Sequence, residues 1–535
     1  MAGVKSAFPL PKHVAFALAI ASGLLYWLAF AGTSQVWICA FVAFVPLVFA
    51  LSGQTPKRAA WIGLAAGTTM NVAGFYWLLN MLRTFSGFPT AVCMLFVLIV
   101  CAYQGGRMAL MGWLYARATG RGWPAPVVFL LAFVASELLY PLLFPWYFAA
   151  TVHDVPSLAQ VAELGGPILV GALIVLVNLA IAEPVLALAS NRKIDRRLMV
   201  SGAIGLGAQS MFGLVRIGQI DARAAAAPPV HVGVVQGNLG LFQKREDPGE
   251  GLRRHLRLTG ELKEKGVELV VWSESSVTFA VPEQMKDDFM KRNVGQKLGV
   301  PAIFGAVLIR PPQAKDRERW FNTALSSDSR GNVTARYDKQ YLLAFGEYLP
   351  FGDTFPILYQ WSPNSGKFSA GTELDPLVMI DRDGQRHKMT TLICYEDILP
   401  GFTRQAVNAS RGESELLVNM TNDAWFGDTS EPWEHLALAR FRAIEHRRYL
   451  VRSTNSGVSA IVDPVGRVLA HSKTFTAERL DAKIHFMRAS TIYEALGDSP
   501  WWLSSLGVAA MAFIRRKDKN KTLASPDATK SAAET

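Results

Sequence analysis

Up to about residue 215 the chain is one apolar run after another, each of roughly 18 to 25 positions. A helix rises about 1.5 Å per residue and needs about 20 such residues to cross a bilayer core, so this half is expected to be membrane. Candidate spans fall at roughly 13–30, 34–51, 59–80, 89–114, 125–149, 167–190 and 198–215, with a last one at roughly 499–514. Lys and Arg sort by loop. Lys57 and Arg58 follow the second span, Arg117 and Arg121 the fourth, Arg192, Lys193, Arg196 and Arg197 the sixth, and "RRKDKNK" the last. The intervening loops hold only Arg83. Basic loops stay cytoplasmic. The expected division is therefore a seven-helix membrane region over 1–217, a soluble segment over 218–498 on the outer side, a returning helix over 499–514 and a basic cytoplasmic tail over 515–535. The first helix reads as uncleaved, because its apolar run is too long for a signal peptide. The net charge of +11 is explained by these basic loops and tail, and no nucleic-acid surface is needed.

From Val230 the pattern changes to short strand-like and helix-like pieces in alternation, which indicates an α/β layer fold. Two stretches read as hairpins, one turning at Arg330-Gly331 and one at Asp383-Gly384. Three strand ends carry reactive side chains: Glu274 after "VELVVWS", Lys339 after "VTARYD" and Cys394 after "TTLI". Open α/β sheets keep their chemistry at such ends. A thiol that attacks a carbonyl needs a base to take its proton and a cation or donor to hold the oxyanion, and these three residue types supply those roles. The plain alternatives are a solvated strand end, a surface charge and a small core hydrophobe. Of the four cysteines, Cys39, Cys93 and Cys101 lie in apolar runs, so Cys394 has no disulfide partner within its own segment.

"YDKQYLLAFGEYLPF", "LICYEDILP", "TNDAWFG" and "RSTNSGVSAIVDPVGRV" resemble the nitrilase superfamily. With the flanking spans, "GFYW" at Gly74–Trp77, "FPW" at Phe144–Trp146, "VVQGN" and "FNT" around Asn322, the whole chain resembles the apolipoprotein N-acyltransferases of the bacterial inner membrane. The resemblance implies a polytopic helical membrane domain plus a periplasmic nitrilase-like αββα sandwich, with a Glu274-Lys339-Cys394 triad. It also implies ping-pong acyl transfer. The cysteine takes an sn-1 acyl chain from a phospholipid, usually phosphatidylethanolamine, and the α-amine of a diacylglyceryl-cysteine on an apolipoprotein accepts it. Lys339 and the backbone N–H of Tyr395 would hold the oxyanion. Glu347 would orient Lys339, Glu396 is a supporting carboxylate, Asn322 and Tyr395 lie near the site, and Asn422, Asp423 and Trp425 shape the pocket rim. The expected protein is a monomer without a cofactor or metal; no His/Cys cluster with ligand spacing stands out.

The chain departs from the family pattern at three places. Leu343-Ala344 stands where Val-Pro is usual, "LGLFQKRED" follows "QGN" and leaves Phe242 as the nearest aromatic, and Glu434 precedes His435 where Gln is usual. The last is read as a conservative surface change. Residues 351–371, aromatic and rich in Gly, Pro and Ser, read as a lid at headgroup level or as an ordinary packed loop. Arg107 and Glu137 are expected to face the bundle interior as partners. Two rival readings are a membrane-anchored nitrilase-type amidase using water as acceptor, and a transporter with a soluble sensor domain. Eight spans are excessive for an anchor, and no internal repeat marks a transporter.

Overall fold

The computed structural model describes residues 8–30, 36–86, 88–240, 247–312, 318–344, 346–349, 351–361 and 366–516. Phe242, the tail from 517 onward and part of the 351–371 segment lie outside the described residues.

The apolar half is helical: α1 (Lys12–Ala29), α2 (Val45–Leu51), α3 (Pro56–Gly74), α4 (Leu78–Ser86), α5 (Thr90–Thr119), α6 (Ala125–Leu139), α7 (Ala162–Ala189) and α8 (Arg196–Ala226). By length and composition α1, α5, α7 and α8 are able to cross a membrane, and α3 with α4 makes a fifth if their 63° bend is one broken span. The run expected over 34–51 divides into a 3₁₀ turn at Trp37–Phe41 and the short α2. The run expected over 125–149 stops at Leu139, since Tyr140 turns extended ahead of Pro141. Helices α3 and α5 pack backbone to backbone: a Cβ on Gly67 would lie 2.6 Å from the Gly105 carbonyl oxygen, and one on Gly63 would lie 2.1 Å from that of Met108. Arg107 and Glu137, both buried, pair at 3.1 Å in the bundle interior, as their cost in hydrocarbon requires.

The second half is a four-layer αββα sandwich. One sheet runs β13 (Glu478–His485), β1 (Pro229–Gln236), β2 (Leu269–Trp272), β4 (Ala302–Arg310), β5 (Arg319–Ser327) and β6 (Val333–Asp338), with β3 (Val277–Pro282) beside β4. The other runs β12 (Val468–His471), β11 (Ala460–Val462), β10 (Leu450–Thr454), β9 (Ser414–Thr421), β8 (Arg386–Ile393) and β7 (Leu377–Ile380). Both expected hairpins form: β5 pairs antiparallel with β6, and β7 with β8. Apolar residues of the two sheets, such as Val232, Val271, Ile393, Val418 and Val451, share one core between them. The outer faces are covered by α9 (Pro248–Glu264) on the first sheet and by α10 (Pro400–Ala409) and α11 (Glu431–His446) on the second. Helix α12 (Ser499–Phe513) packs on α5 and α6.

Helix α11 joins the halves. Its Leu436, Ala439 and Ala443 face the sheet, while Leu438, Phe441 and Ile444 belong to the core of the helical bundle. The next residue, Arg447, is fully buried and donates to Glu163 at 2.6 Å and to Gln160 at 2.5 Å, both from the bundle. Gly166 makes this approach possible. It sits at φ 65°, and a Cβ there would lie 2.7 Å from the Tyr493 ring. Removing one member of a buried ion pair strands the other charge, so Arg447→Met is expected to lower stability by roughly 3–5 kcal/mol, read as a depressed melting temperature in detergent.

Candidate active site

Three strand ends from the two sheets converge. Glu274 follows β2 and Lys339 follows β6 in one sheet, and Cys394 follows β8 in the other. Lys339, nearly fully buried, places Nζ 2.8 Å from Glu347 Oε2 and 3.5 Å from Glu274 Oε1. Asn322, on β5, donates through Nδ2 to both carboxylates, at 2.6 Å to Glu274 and 2.9 Å to Glu347. Glu347 is held in turn by the backbone N–H of Leu343 at 2.8 Å. Burial works against the Lys339 ammonium, but Glu347, Cys394 and Glu274 outweigh it and hold the group well above its usual range. Lys339 is therefore a fixed cation.

Cys394 begins a 3₁₀ turn with φ 54°, a left-handed backbone that few non-glycine residues adopt. The half-buried thiol is pushed up by burial; Lys339 opposes the shift, and Glu274 and Glu347 add to it. Cys394 is thus a thiol in the field of Lys339, Glu274 and Glu347. Its turn is pinned by Glu396, which accepts from Ile393 N at 2.7 Å, Gln340 N at 2.8 Å, Tyr341 N at 3.0 Å and Tyr337 Oη at 2.8 Å. The same carboxylate fixes the segment after Lys339, so one side chain sets both loops. Burial pushes Glu396 up to about 7, with the hydrogen bonds resisting.

The thiol opens onto a cavity lined by Phe75, Trp77, Phe144 and Trp146 from the helical half and by Tyr395 and Phe426 from the sandwich. Both aromatic motifs of the apolar half, "GFYW" and "FPW", thus line the wall around Cys394. Tyr395 Oη donates to the Leu143 carbonyl at 2.5 Å and ties the turn that carries Cys394 to the bundle. Asn422 accepts from Asn455 at 2.9 Å, and Trp425 packs in the bundle core, while the adjacent Phe426 faces the cavity.

Residues 22–180 match the apolipoprotein N-acyltransferase N-terminal domain, and residues 231–493 match the carbon-nitrogen hydrolase family. An apolipoprotein N-acyltransferase from Geobacter metallireducens is 28% identical over 94% of this chain and 96% of its own. The enzymes from Azotobacter vinelandii (29% identical; 94% and 95%) and Ralstonia nicotianae (28%; 96% and 97%) are alike over as much. The chain belongs to the apolipoprotein N-acyltransferase family. An amidase from Nesterenkonia sp. AN1 aligns over 51% of this chain and 98% of its own at 18% identity and a TM-score of 0.35, and the sheet order above describes the fold without it.

Two features of this family member were not read from its sequence. Behind the cavity lies a buried charge cluster, in which Arg452 donates to Asp397 at 2.8 Å and to Asp423 at 3.1 Å. His435 stands between the same carboxylates, with Nε2 2.7 Å from Asp397 and Nδ1 3.3 Å from Asp423. Burial and Arg452 push His435 down, but Asp397 and Asp423 outweigh them and raise it to about 9. Asp423, Glu431 and His435 lie close enough together to suggest ligands for a metal ion. In this arrangement both His435 nitrogens already face carboxylates, Asp397 and Asp423. The signal was Asp397 in "CYED", Asp423 in "TNDAW" and Arg452 in "RSTN".

The second feature corrects the reading of Glu434 and His435 as surface. Both are buried, at 4% and 6% exposure, because α11 is covered on its second side by the bundle. Glu434 accepts from Trp77 Nε1 at 3.2 Å and Ser430 Oγ at 2.7 Å, and burial pushes it up to about 8. A carboxyl so raised keeps a proton that the unfolded chain releases. Its stability contribution is full below the ordinary carboxyl range and lost as pH rises through about 8. Glu434→Gln is therefore expected to match the parent near pH 5 and to melt a few degrees higher by about pH 9, in thermal scans in detergent.

Proposed function

We propose that the protein transfers an acyl chain from a phospholipid, through a Cys394 thioester, to the α-amine of the N-terminal diacylglyceryl-cysteine of apolipoproteins. The observation that carries this reading is the buried Glu274-Lys339-Cys394 cluster at the foot of an apolar cavity walled by the helical half. A soluble amidase needs no such wall.

The charges make the chemistry possible. Glu274, Glu347 and Lys339 sum to one negative charge, and ionising the thiol into solvent would add a second in a buried place. Passing the thiol proton to Glu274 keeps the sum unchanged, so the thiolate forms only as it attacks. Sγ bonds to the ester carbonyl carbon, and Lys339 with the Tyr395 N–H holds the oxyanion. The ester C–O bond then breaks, and Glu274 returns its proton to the departing lysophospholipid. The acceptor amine repeats the sequence on the thioester: Glu274 takes the amine proton, the amide forms, the C–S bond breaks, and Glu274 passes the proton to the departing Cys394 sulfur. Glu347 and Asn322 keep Lys339 and Glu274 in register.

The donor we favour is phosphatidylethanolamine. The protein is read as a monomer in the bacterial inner membrane, with the shorter apolar helices completing eight crossings and the sandwich in the periplasm. The Lys/Arg alternation of the loops supports that orientation. The exposed Phe351, Phe355 and Ile357 suit contact with headgroups or with an acyl chain.

Purified protein given phosphatidylethanolamine and a diacylglyceryl-cysteinyl peptide should add one acyl mass to the peptide amine and release lysophospholipid. Free fatty acid with the peptide unchanged would mean that water is the acceptor.

A further inference from the structure

One face of the cavity is unlike the rest. Among its aromatic and aliphatic lining stand two carboxyls from the first turn of α11, Glu431 and Glu434. Glu431 is 8% exposed, and its Oε2 has no hydrogen-bond partner among the described residues. Its other oxygen lies 3.8 Å from His435 Nδ1. A buried polar atom without a partner costs about 1–3 kcal/mol, so its place in a cavity wall calls for a ligand.

The surrounding charges say which kind. Asp397 and Asp423 are matched by Arg452 and His435, so that inner cluster is neutral as a unit. Glu431 and Glu434 have no cation of their own beyond it. They sit beside Trp77 and Phe426, whose rings pack edge to face at 5.1 Å. Carboxyls with aromatic faces around them recognise an organic ammonium, by charge and by cation–π attraction. An anion would meet two acids.

We propose that Glu431 and Glu434 form a subsite for the primary ammonium group of a lipid substrate, in the wall of the cavity that holds Cys394. This rests on the acyl-transfer reading and extends it to specificity. Burial and Asp423 raise Glu431 well above the usual carboxylate range, and burial raises Glu434 to about 8, so the empty wall disfavours their charge and a cation brought between them offsets that cost. A primary ammonium is offered by two participants: the ethanolamine headgroup of the donor and the α-ammonium of the acceptor. An acceptor amine held here waits within the same cavity as the thioester it must attack.

The test has two arms, run on full-length protein in detergent with Glu431→Gln, Glu434→Gln and the double variant. In the donor arm, the rate of Cys394 thioester formation is compared between phosphatidylethanolamine and phosphatidylglycerol, whose headgroup has no ammonium. In the acceptor arm, pre-acylated protein freed of phospholipid is given either a diacylglyceryl-cysteinyl peptide or hydroxylamine, which is uncharged at neutral pH. If the subsite serves the donor, the ethanolamine-to-glycerol ratio falls about tenfold or more while the phosphatidylglycerol rate holds. If it serves the acceptor, the peptide-to-hydroxylamine ratio falls by as much. Ratios unchanged in both arms, whether absolute rates hold or drop together, overturn the subsite. The single variants keep the ratios measurable should the double variant fail to fold. Failure of the unmodified protein to form a thioester with either lipid would instead overturn the acyl-transfer reading.

Discussion

Cys394→Ala should abolish the acyl adduct and reduce transfer by about a thousandfold or more, while the protein still binds phospholipid. In intact-protein mass spectrometry the parent should gain one acyl mass with phosphatidylethanolamine and lose it in neutral hydroxylamine; the variant should show neither. The size of the effect follows from what remains. Lys339 and the backbone N–H groups would still polarise an ester carbonyl, but among the described residues lining the cavity Cys394 is the one thiol. The variant should fold, because the thiol's hydrogen bond is with Thr421 and the turn itself is carried by Glu396. Alanine also tolerates the φ of 54° no worse than cysteine. An adduct that persists in the variant would assign the acyl group to another residue.

The three strand ends that meet at the candidate site were legible because they depend on local pattern. An alternating or apolar run bounded by turn residues marks a strand, and the residue after it sits at the sheet's rim, which is how Glu274, Lys339 and Cys394 stand out. The hairpins at Arg330-Gly331 and Asp383-Gly384 were legible for the same reason, since a glycine in the left-handed region closes each turn. Helix α11 was not. Its polar residues read as a solvated face, yet every residue from Glu431 to His446 except the half-buried Trp433 is buried, because periodicity identifies an apolar stripe without saying what covers the opposite side. The Arg452 cluster was hidden by its make-up: four charges from separate elements, each unremarkable in its own window. In the apolar half, runs of the right length predicted helices, but Pro141 and the 3₁₀ turn at Trp37–Phe41 shortened two of them, and run length carries no record of where a helix stops.

Lys339→Met should lower the rate of thioester formation by about a hundredfold to ten-thousandfold, and for two separable reasons. The first is the oxyanion. A fixed ammonium in a water-poor site needs no reorganisation when charge develops, and losing one such donor alone costs about a hundredfold or more. The second is the resting charge. With Lys339 gone, Glu274 and Glu347 face each other across Asn322, whose single amide group already donates to both. Two buried carboxylates without a cation do not both stay ionised, and a proton on Glu274 removes the acceptor for the thiol proton. Lys339→Arg should not rescue the rate, because a planar guanidinium cannot replace a compact ammonium that contacts Glu347 at 2.8 Å and Glu274 at 3.5 Å. Single-turnover acylation measured across pH separates the two losses. Residual activity that recovers at higher pH reports the proton on the carboxylate pair, and the deficit that persists there reports the oxyanion. A Lys339→Met protein acylated at the parental rate would leave the cation a structural counter-charge, and the oxyanion would have to be held by backbone N–H groups alone.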